Sequence, residues 1–201
     1  HKVNALWLTA GLFSEWSKEC PVELPLQYVL AGGDVLDPAA VCRVQQRLPK
    51  VQVINGYGPT ENTTFTCCYP VPANFDSSKS VPIGYPLQGD QVMLLSDNEL
   101  VPYGCVGELC VSGAGLAQGY LNQAELTEQK FALNPFYLDS GSIRYQKLYR
   151  TGDLARYNAQ GVIEYVGRID DQIKIRGFRV ELGEIEQQIS QLNEVSSALV
   201  M

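Results

Sequence analysis

The sequence holds a single histidine, His1, and none of its six cysteines (Cys20, Cys42, Cys67, Cys68, Cys105 and Cys110) belongs to a C-x-x-C pair. A structural zinc site needs closely spaced Cys and His ligands, so zinc is not expected. Several of the cysteines lie in apolar runs, where a reduced thiol behaves as a small hydrophobe. No run is apolar enough over a membrane's width and no signal peptide is visible, so the expected compartment is the cytoplasm. Basic charge is scarce too, with 15 Lys and Arg against 22 Asp and Glu and a net charge of −7. That argues against nucleic acid or an anionic membrane as the main partner, since both demand a basic surface. It leaves room for a small anion, which needs only a local site. Internal repeats and low-complexity segments are absent as well. What is present is globular: 45% hydrophobic and 18% charged residues over 201 positions, enough for a real core. The chain starts without Met and stops inside the apolar run Ala198-Leu199-Val200-Met201, so it reads as an internal fragment.

Residues 1–85 alternate between strand and helix patterns. Val3 to Leu8 and Leu26 to Leu30 are short apolar runs that suit buried strands, closed by Thr9-Ala10-Gly11 and Ala31-Gly32-Gly33. Asp37 is placed to cap a helix with Pro38 in its first turn; Val41, Val44 and Leu48 share its apolar face and Pro49 stops it. Val51 to Ile54 is the next strand. Strand, helix and strand with short links make a βαβ unit and a parallel sheet. Ligands bind beyond the carboxyl ends of such strands, here Thr9, Gly32-Gly33 and Asn55-Gly56.

From 86 to 169 the pattern becomes short strands and turns: Gln91 to Leu95, Leu100-Val101, Glu108 to Ser112 and Gly161 to Val166, with a short helix over Thr127 to Leu133. This suits a small antiparallel sheet or β-barrel. From 170 to 201 a hairpin, Gln172 to Ile175 and Phe178 to Glu181, turns at Arg176-Gly177. A helix from Glu184 to Leu192 follows. The fold class is therefore α/β: a parallel βαβ portion, an antiparallel barrel, and the start of an α+β C-terminal subdomain.

The segment Asn55-Gly56-Tyr57-Gly58-Pro59-Thr60-Glu61 concentrates chemistry at one strand end. Gly56 and Gly58 let the backbone approach a ligand. Tyr57 offers a face for stacking on a base and Asn55 an amide for a base edge. Thr60 is a donor suited to phosphate, and Glu61 a hard oxygen ligand suited to Mg²⁺. Any one of these residues could be incidental to a Gly-Pro turn. All seven together at the end of a parallel strand are not read that way.

This segment resembles the adenylate-forming (AMP-binding) superfamily, and specifically the amino-acid adenylation domains of nonribosomal peptide synthetases. The resemblance then runs along the chain. Gly107-Glu108-Leu109 through Ala117-Gln118-Gly119-Tyr120-Leu121 is similar to that family's GEL…ARGYL motif, departing at Gln118, where Arg is usual. Tyr149-Arg150-Thr151-Gly152-Asp153-Leu154 matches Y-R-T-G-D-L. Gly167-Arg168-Ile169-Asp170-Asp171-Gln172 through Arg179-Val180-Glu181-Leu182-Gly183-Glu184-Ile185-Glu186 matches the family's longest motif. The resemblance implies that Asp153 bonds the ribose hydroxyls, with Arg168 nearby and Tyr165 flanking the nucleotide. Asp170 falls at the family's hinge. The plain alternatives are a turn residue for Asp153 and an ion pair with Asp170 or Asp171 for Arg168. Gly113-x-Gly115-x-x-x-Gly119 is close to a dinucleotide fingerprint but mis-spaced, and reads as a turn-rich link. The Lys and Arg of 168–179 are interrupted by acids and read as a solvated hairpin face.

By the same resemblance Trp7, Leu30, Gly32, Gly56, Thr64 and Phe65 line the substrate pocket. That set is apolar and uncharged, similar to domains that select valine or another branched aliphatic residue, with isoleucine left open because one methylene discriminates by only about 1–3 kcal/mol. Trp7 and Leu30 could instead be ordinary core residues. The implied cofactors are ATP and Mg²⁺, and the implied partners are the amino acid, a carrier domain bearing phosphopantetheine, and neighbouring synthetase modules. Catalysis is then positioning and charge neutralisation by Thr60 and Glu61. The family's phosphate loop, its amine-binding aspartate and its carboxylate-contacting lysine are not found in these residues, so the isolated chain is expected to lack adenylation activity. The competing readings are an acyl- or aryl-CoA synthetase of the same superfamily, a non-catalytic nucleotide-binding module, and a purely structural α/β domain.

Overall fold

A computed structural model describes residues 3–138, 142–175, 178–192 and 194–200. The Arg176-Gly177 turn expected for the hairpin lies outside the described residues, as do His1 and Met201. The chain begins with β1 (Ala5–Thr9), α1 (Ala10–Glu19), β2 (Tyr28–Gly32), α2 (Pro38–Arg47) and β3 (Gln52–Tyr57). The three strands pair in parallel, with Thr9 beside Gly32 and Gly32 beside Gly56. Helix α2 starts as expected: the Asp37 carboxylate accepts from Ala39 N at 2.9 Å. Helix α1 was not legible, because Gly11 and the lack of an acidic first turn hide its start. Its cap is Thr9, whose hydroxyl accepts from Leu12 N at 3.4 Å.

One face of this sheet, through Leu8, Val29, Ala31 and Val53, packs against Phe13 of α1 and Val41 and Val44 of α2. Each of these Leu, Val and Phe side chains contributes about 1.5–3 kcal/mol on burial. Strand β3 runs three residues further than Ile54. Its extension is held by β4 (Cys67–Pro70), antiparallel, with Asn55 beside Tyr69, Gly56 beside Cys68 and Tyr57 beside Cys67. A short β5 (Tyr85–Pro86) pairs with β4, so the sheet is mixed rather than wholly parallel.

The second sheet contains β6 (Asp90–Ser96), β7 (Glu99–Leu100), β8 (Gly107–Gly113), β9 (Phe131–Leu133), β10 (Lys147–Tyr157) and β11 (Ile163–Arg168). Its order is β11-β10-β8-β6-β7, with β9 on β10, an open curled half-barrel rather than a closed barrel. The expected helix over Thr127 to Leu133 is corrected: α3 spans Ala124–Lys130, and Phe131–Leu133 is strand. Pairing of Phe131 with Tyr149 and its burial override the local helical pattern. The eleven-residue β10 escaped the sequence reading because its Thr-Gly-Asp centre looks like a turn.

Tyr57 and Cys67 of the first sheet share a core with Leu94, Leu109, Val111, Ala155 and Ile163 of the second. The sheets also meet at a backbone bridge between Gly84 and Ile163. Beyond Asp170 come the hairpin β12 (Ile173–Ile175) and β13 (Phe178–Val180), then α4 (Leu182–Ser190). No helix among the described residues is long and apolar enough to cross a membrane.

Candidate functional site

Side chains alternate across a strand. In β3 this sends Asn55 and Tyr57 to the face carrying Val53, and Gly56 to the opposite face. On the first side lies a cavity of about 250 Å³, lined by Asn55, Tyr57, Gly58, Ile83, Tyr165 and Arg168 among others. The Asn55 amide donates to the Pro82 carbonyl at 2.8 Å, which fixes its orientation in the cavity wall. A smaller cavity of about 130 Å³ adjoins it through the shared residues Gly33, Gly58, Arg168 and Gln172, and adds Thr60, Asp153 and Arg179.

Asp153 is buried and held from two sides. The Tyr57 hydroxyl donates to Oδ2 at 2.5 Å and Arg168 Nη1 to Oδ1 at 2.6 Å. The Tyr57 phenol keeps its proton, because burial and then the neighbouring Asp153 charge push it well above its ordinary range. Arg168 also grips Asp170 with both Nε and Nη2, at 2.6 and 2.7 Å, and reaches the Thr151 carbonyl at 3.2 Å. Arg168 lines the cavity and at the same time makes the expected ion pair with Asp170. That fork holds the Asp170 carboxyl below the usual range.

The local chain makes this arrangement possible at a bulge. The β8–β10 register shifts between Arg150 and Leu154, and Gly152 has φ +73°. A side chain at Gly152 would meet Arg168 Nη2 at 2.8 Å. Thr151 Oγ1 donates to Leu109 O at 2.6 Å and accepts from Asp153 N, pinning the bulge. Asp153 is thus a strand residue at a bulge, not a free turn.

Glu61 sits on the 3-10 turn Thr60–Asn62 and is only 7% exposed. Its Oε1 accepts from the Tyr120 hydroxyl at 2.6 Å and from Arg179 Nη1 at 2.7 Å. Its Oε2 is buried with no partner. Burial would raise this carboxyl, but the Tyr120 bond, the backbone and the Arg179 charge outweigh it and hold it below the ordinary value. An ionised carboxylate with a free, buried oxygen fits a hard cation. No group of three or more His, Cys, Asp or Glu that could hold a metal is found among the described residues. The single Glu61 carboxylate suits Mg²⁺, which binds one or two carboxylates and completes its shell with phosphates and water. Thr60 is exposed at the rim of the smaller cavity.

The opposite face of the sheet carries the other predicted set. Trp7 stands beside Leu30, and Gly32 beside Gly56. Trp7 is 48% exposed, so it is not a core residue, and its ring lies 6.5 Å from that of Phe65. A Cβ at Gly56 would strike the Phe65 ring at 2.5 Å, and one at Gly32 would strike Gly56 O at 2.1 Å. Thr64 is exposed next to Phe65. Tyr120, Tyr149 and Arg179 were not singled out in the sequence. Each lies inside a motif quoted above, but nothing local links Glu61 to Tyr120, 59 positions away, or to Arg179, 118 away.

Residues 1–121 match the AMP-binding enzyme family. The chain belongs to that family. A linear gramicidin synthase of Brevibacillus parabrevis is 52% identical over 203 residues, covering 100% of this chain and 3% of that protein. Tyrocidine synthase 3 of the same organism is 44% identical over 202 residues, again across 100% of this chain and 3% of its own length. The structure of holo-PA1221, an NRPS protein containing adenylation and PCP domains bound to a vinylsulfonamide inhibitor, matches with a TM-score of 0.87. It is 39% identical, and the match covers 98% of this chain and 34% of that one. The family resemblance read from the motifs is thereby supported, and the chain spans a small part of each of these relatives.

Proposed function

We propose that this AMP-binding chain is part of an adenylate-forming ligase that activates an amino acid in nonribosomal peptide synthesis. The observation that carries the reading is the meeting of Tyr57, Asp153 and Arg168 from two sheets where two cavities adjoin. A carboxylate oxygen has two lone pairs, so Asp153 can keep both present bonds and still accept from ribose hydroxyls. Asn55 and Tyr165 then flank the base. Thr60 would face the phosphates, and Glu61 would hold Mg²⁺, which would neutralise phosphate charge there.

The amino-acid carboxylate attacks the α-phosphorus of ATP as the bond to pyrophosphate breaks, leaving an aminoacyl-adenylate. A phosphopantetheine thiol on a carrier domain then takes the acyl group as a thioester and AMP departs. Trp7, Leu30, Gly32, Gly56, Thr64 and Phe65 form the side-chain pocket on the far face of the sheet. With no charge among them they suit an apolar side chain, and their resemblance to sets that select valine supports valine or a similar branched aliphatic residue as the substrate. On this reading residues 1–85 and 86–169 form the nucleotide-holding body, and 170–201 swing about Asp170 between the two steps. The setting is the cytoplasm, with neighbouring synthetase modules as partners.

The test is amino-acid-dependent ATP–pyrophosphate exchange by the protein that carries this chain. Exchange with valine or isoleucine is expected. Exchange with no amino acid would overturn the activity, and exchange with a charged residue alone would overturn the pocket.

A further inference from the structure

The segment Gly113 to Leu121, which the sequence reading treats as a turn-rich link, wraps the turn that carries Glu61. Ala117 N donates to the Glu61 carbonyl at 2.8 Å, and Thr63 Oγ1 donates to the Gly115 carbonyl at 2.8 Å. At its end the segment is anchored to α3, where Thr127 Oγ1 accepts from Tyr120 N at 2.8 Å. The Tyr120 ring packs edge-on against Phe131, centroids 5.5 Å apart, and Phe131 packs in turn on Tyr149. The Tyr120 proton is committed to Glu61 Oε1, so in the 3.2 Å contact between the two hydroxyls Tyr149 is the donor. The Tyr120 hydroxyl therefore has a fixed position and a fixed direction.

We propose that Tyr120 is a positioning residue: it holds Glu61 by Oε1 so that the buried Oε2 stays free for the divalent cation of the nucleotide. The inference rests on the ATP-dependent reading of the site. Its physical reason is competition within the carboxylate. Arg179 approaches the same Oε1 at 2.7 Å, and a guanidinium prefers to take both oxygens of a carboxylate at once. Without the Tyr120 bond and the ring that backs it, the Glu61 carboxylate can rotate into a two-point pair with Arg179. That rotation occupies the oxygen the cation needs. Gln118, the departure from the family pattern, is exposed in this segment and takes no part in the clamp.

The test is Tyr120→Phe in the full-length protein, which removes the hydroxyl and keeps the ring. Two quantities are read: ATP affinity by calorimetry with saturating Mg²⁺ and with EDTA, and the Mg²⁺ concentration for half-maximal ATP–pyrophosphate exchange. Loss of a group that orients a metal ligand costs about tenfold or more in metal affinity. The variant should lose most of the Mg²⁺-dependent gain in ATP affinity, keep its EDTA affinity, and need about tenfold more Mg²⁺ for exchange. The KM for the amino acid should not move. An unchanged Mg²⁺ dependence in both measurements overturns the inference and leaves the ligase reading intact. Mg²⁺-linked binding that is lost in the variant, in a protein without exchange, overturns the ligase reading and keeps the inference. No Mg²⁺-linked ATP binding in the unaltered protein contradicts both.

Discussion

The Tyr57 hydroxyl donates to Asp153 Oδ2 at 2.5 Å, across 96 positions of sequence and between two sheets. This bond joins the end of a parallel strand to a bulge in an antiparallel one, at the wall of the cavity. Tyr57→Phe keeps the ring and leaves a buried carboxylate oxygen without its donor. A hydrogen bond to a charged group contributes about 1.5–3 kcal/mol, so urea unfolding should show a loss of that size. A change below the error of the measurement would mean the bond is idle.

Arg168 joins Asp153, Asp170 and the Thr151 carbonyl in one fork. Arg168→Ala strands the buried Asp153 charge, at a cost of about 3 kcal/mol in unfolding free energy. Arg168→Lys should recover only part of it, because a single ammonium cannot bond both carboxylates in the fork geometry. Equal stability of the Lys variant and the unaltered protein would show that charge alone suffices.

The two glycines on the sheet face that carries Trp7 should respond differently to added bulk. The Cβ of Gly56→Ala meets a side-chain ring that can turn, whereas that of Gly32→Ala meets the Gly56 backbone carbonyl. Overpacking costs about 1–3 kcal/mol where neighbours can shift, so Gly32→Ala should be the worse of the two. Phe65→Ala should relieve Gly56→Ala and not Gly32→Ala. Thermal unfolding of the single and double variants decides it, and rescue of both would show a shared cause.

Acid should weaken the fold partly through Glu61. Its folded-state carboxyl lies below the ordinary 4.5, so its contribution to stability is present above that value and fades as pH falls through the depressed one. Unfolding free energy should fall with acid in that window, with a shallower slope in Glu61→Gln. Superimposable pH profiles for the two proteins would remove Glu61 from the account.

Much of this site was legible because its residues lie in long motifs that end at recognisable elements. Asp37 and Pro38 announced α2, and the Asn55 to Glu61 segment announced the strand end that lines the cavity. What stayed hidden depends on partners distant in sequence. Strand β10 reads as a turn until Glu108 and Leu109 of β8 are seen to hold its bulge. Phe131 reads as helix until its pairing with Tyr149 is known. The surroundings of Glu61 come from four parts of the chain, and no periodicity connects Tyr120 or Arg179 to it.

The affinity of the whole protein for ATP and for 2′,3′-dideoxy-ATP, before and after Asp153→Asn, shows whether Asp153 reads the nucleotide sugar. If Asp153 accepts from the ribose hydroxyls, the dideoxy nucleotide should bind the unaltered protein about tenfold more weakly, the size of one charge-assisted hydrogen bond. That penalty should shrink in the variant, because the charged oxygens that read the hydroxyls give way to a neutral amide. The same penalty in both proteins would contradict the assignment of Asp153 to the nucleotide sugar.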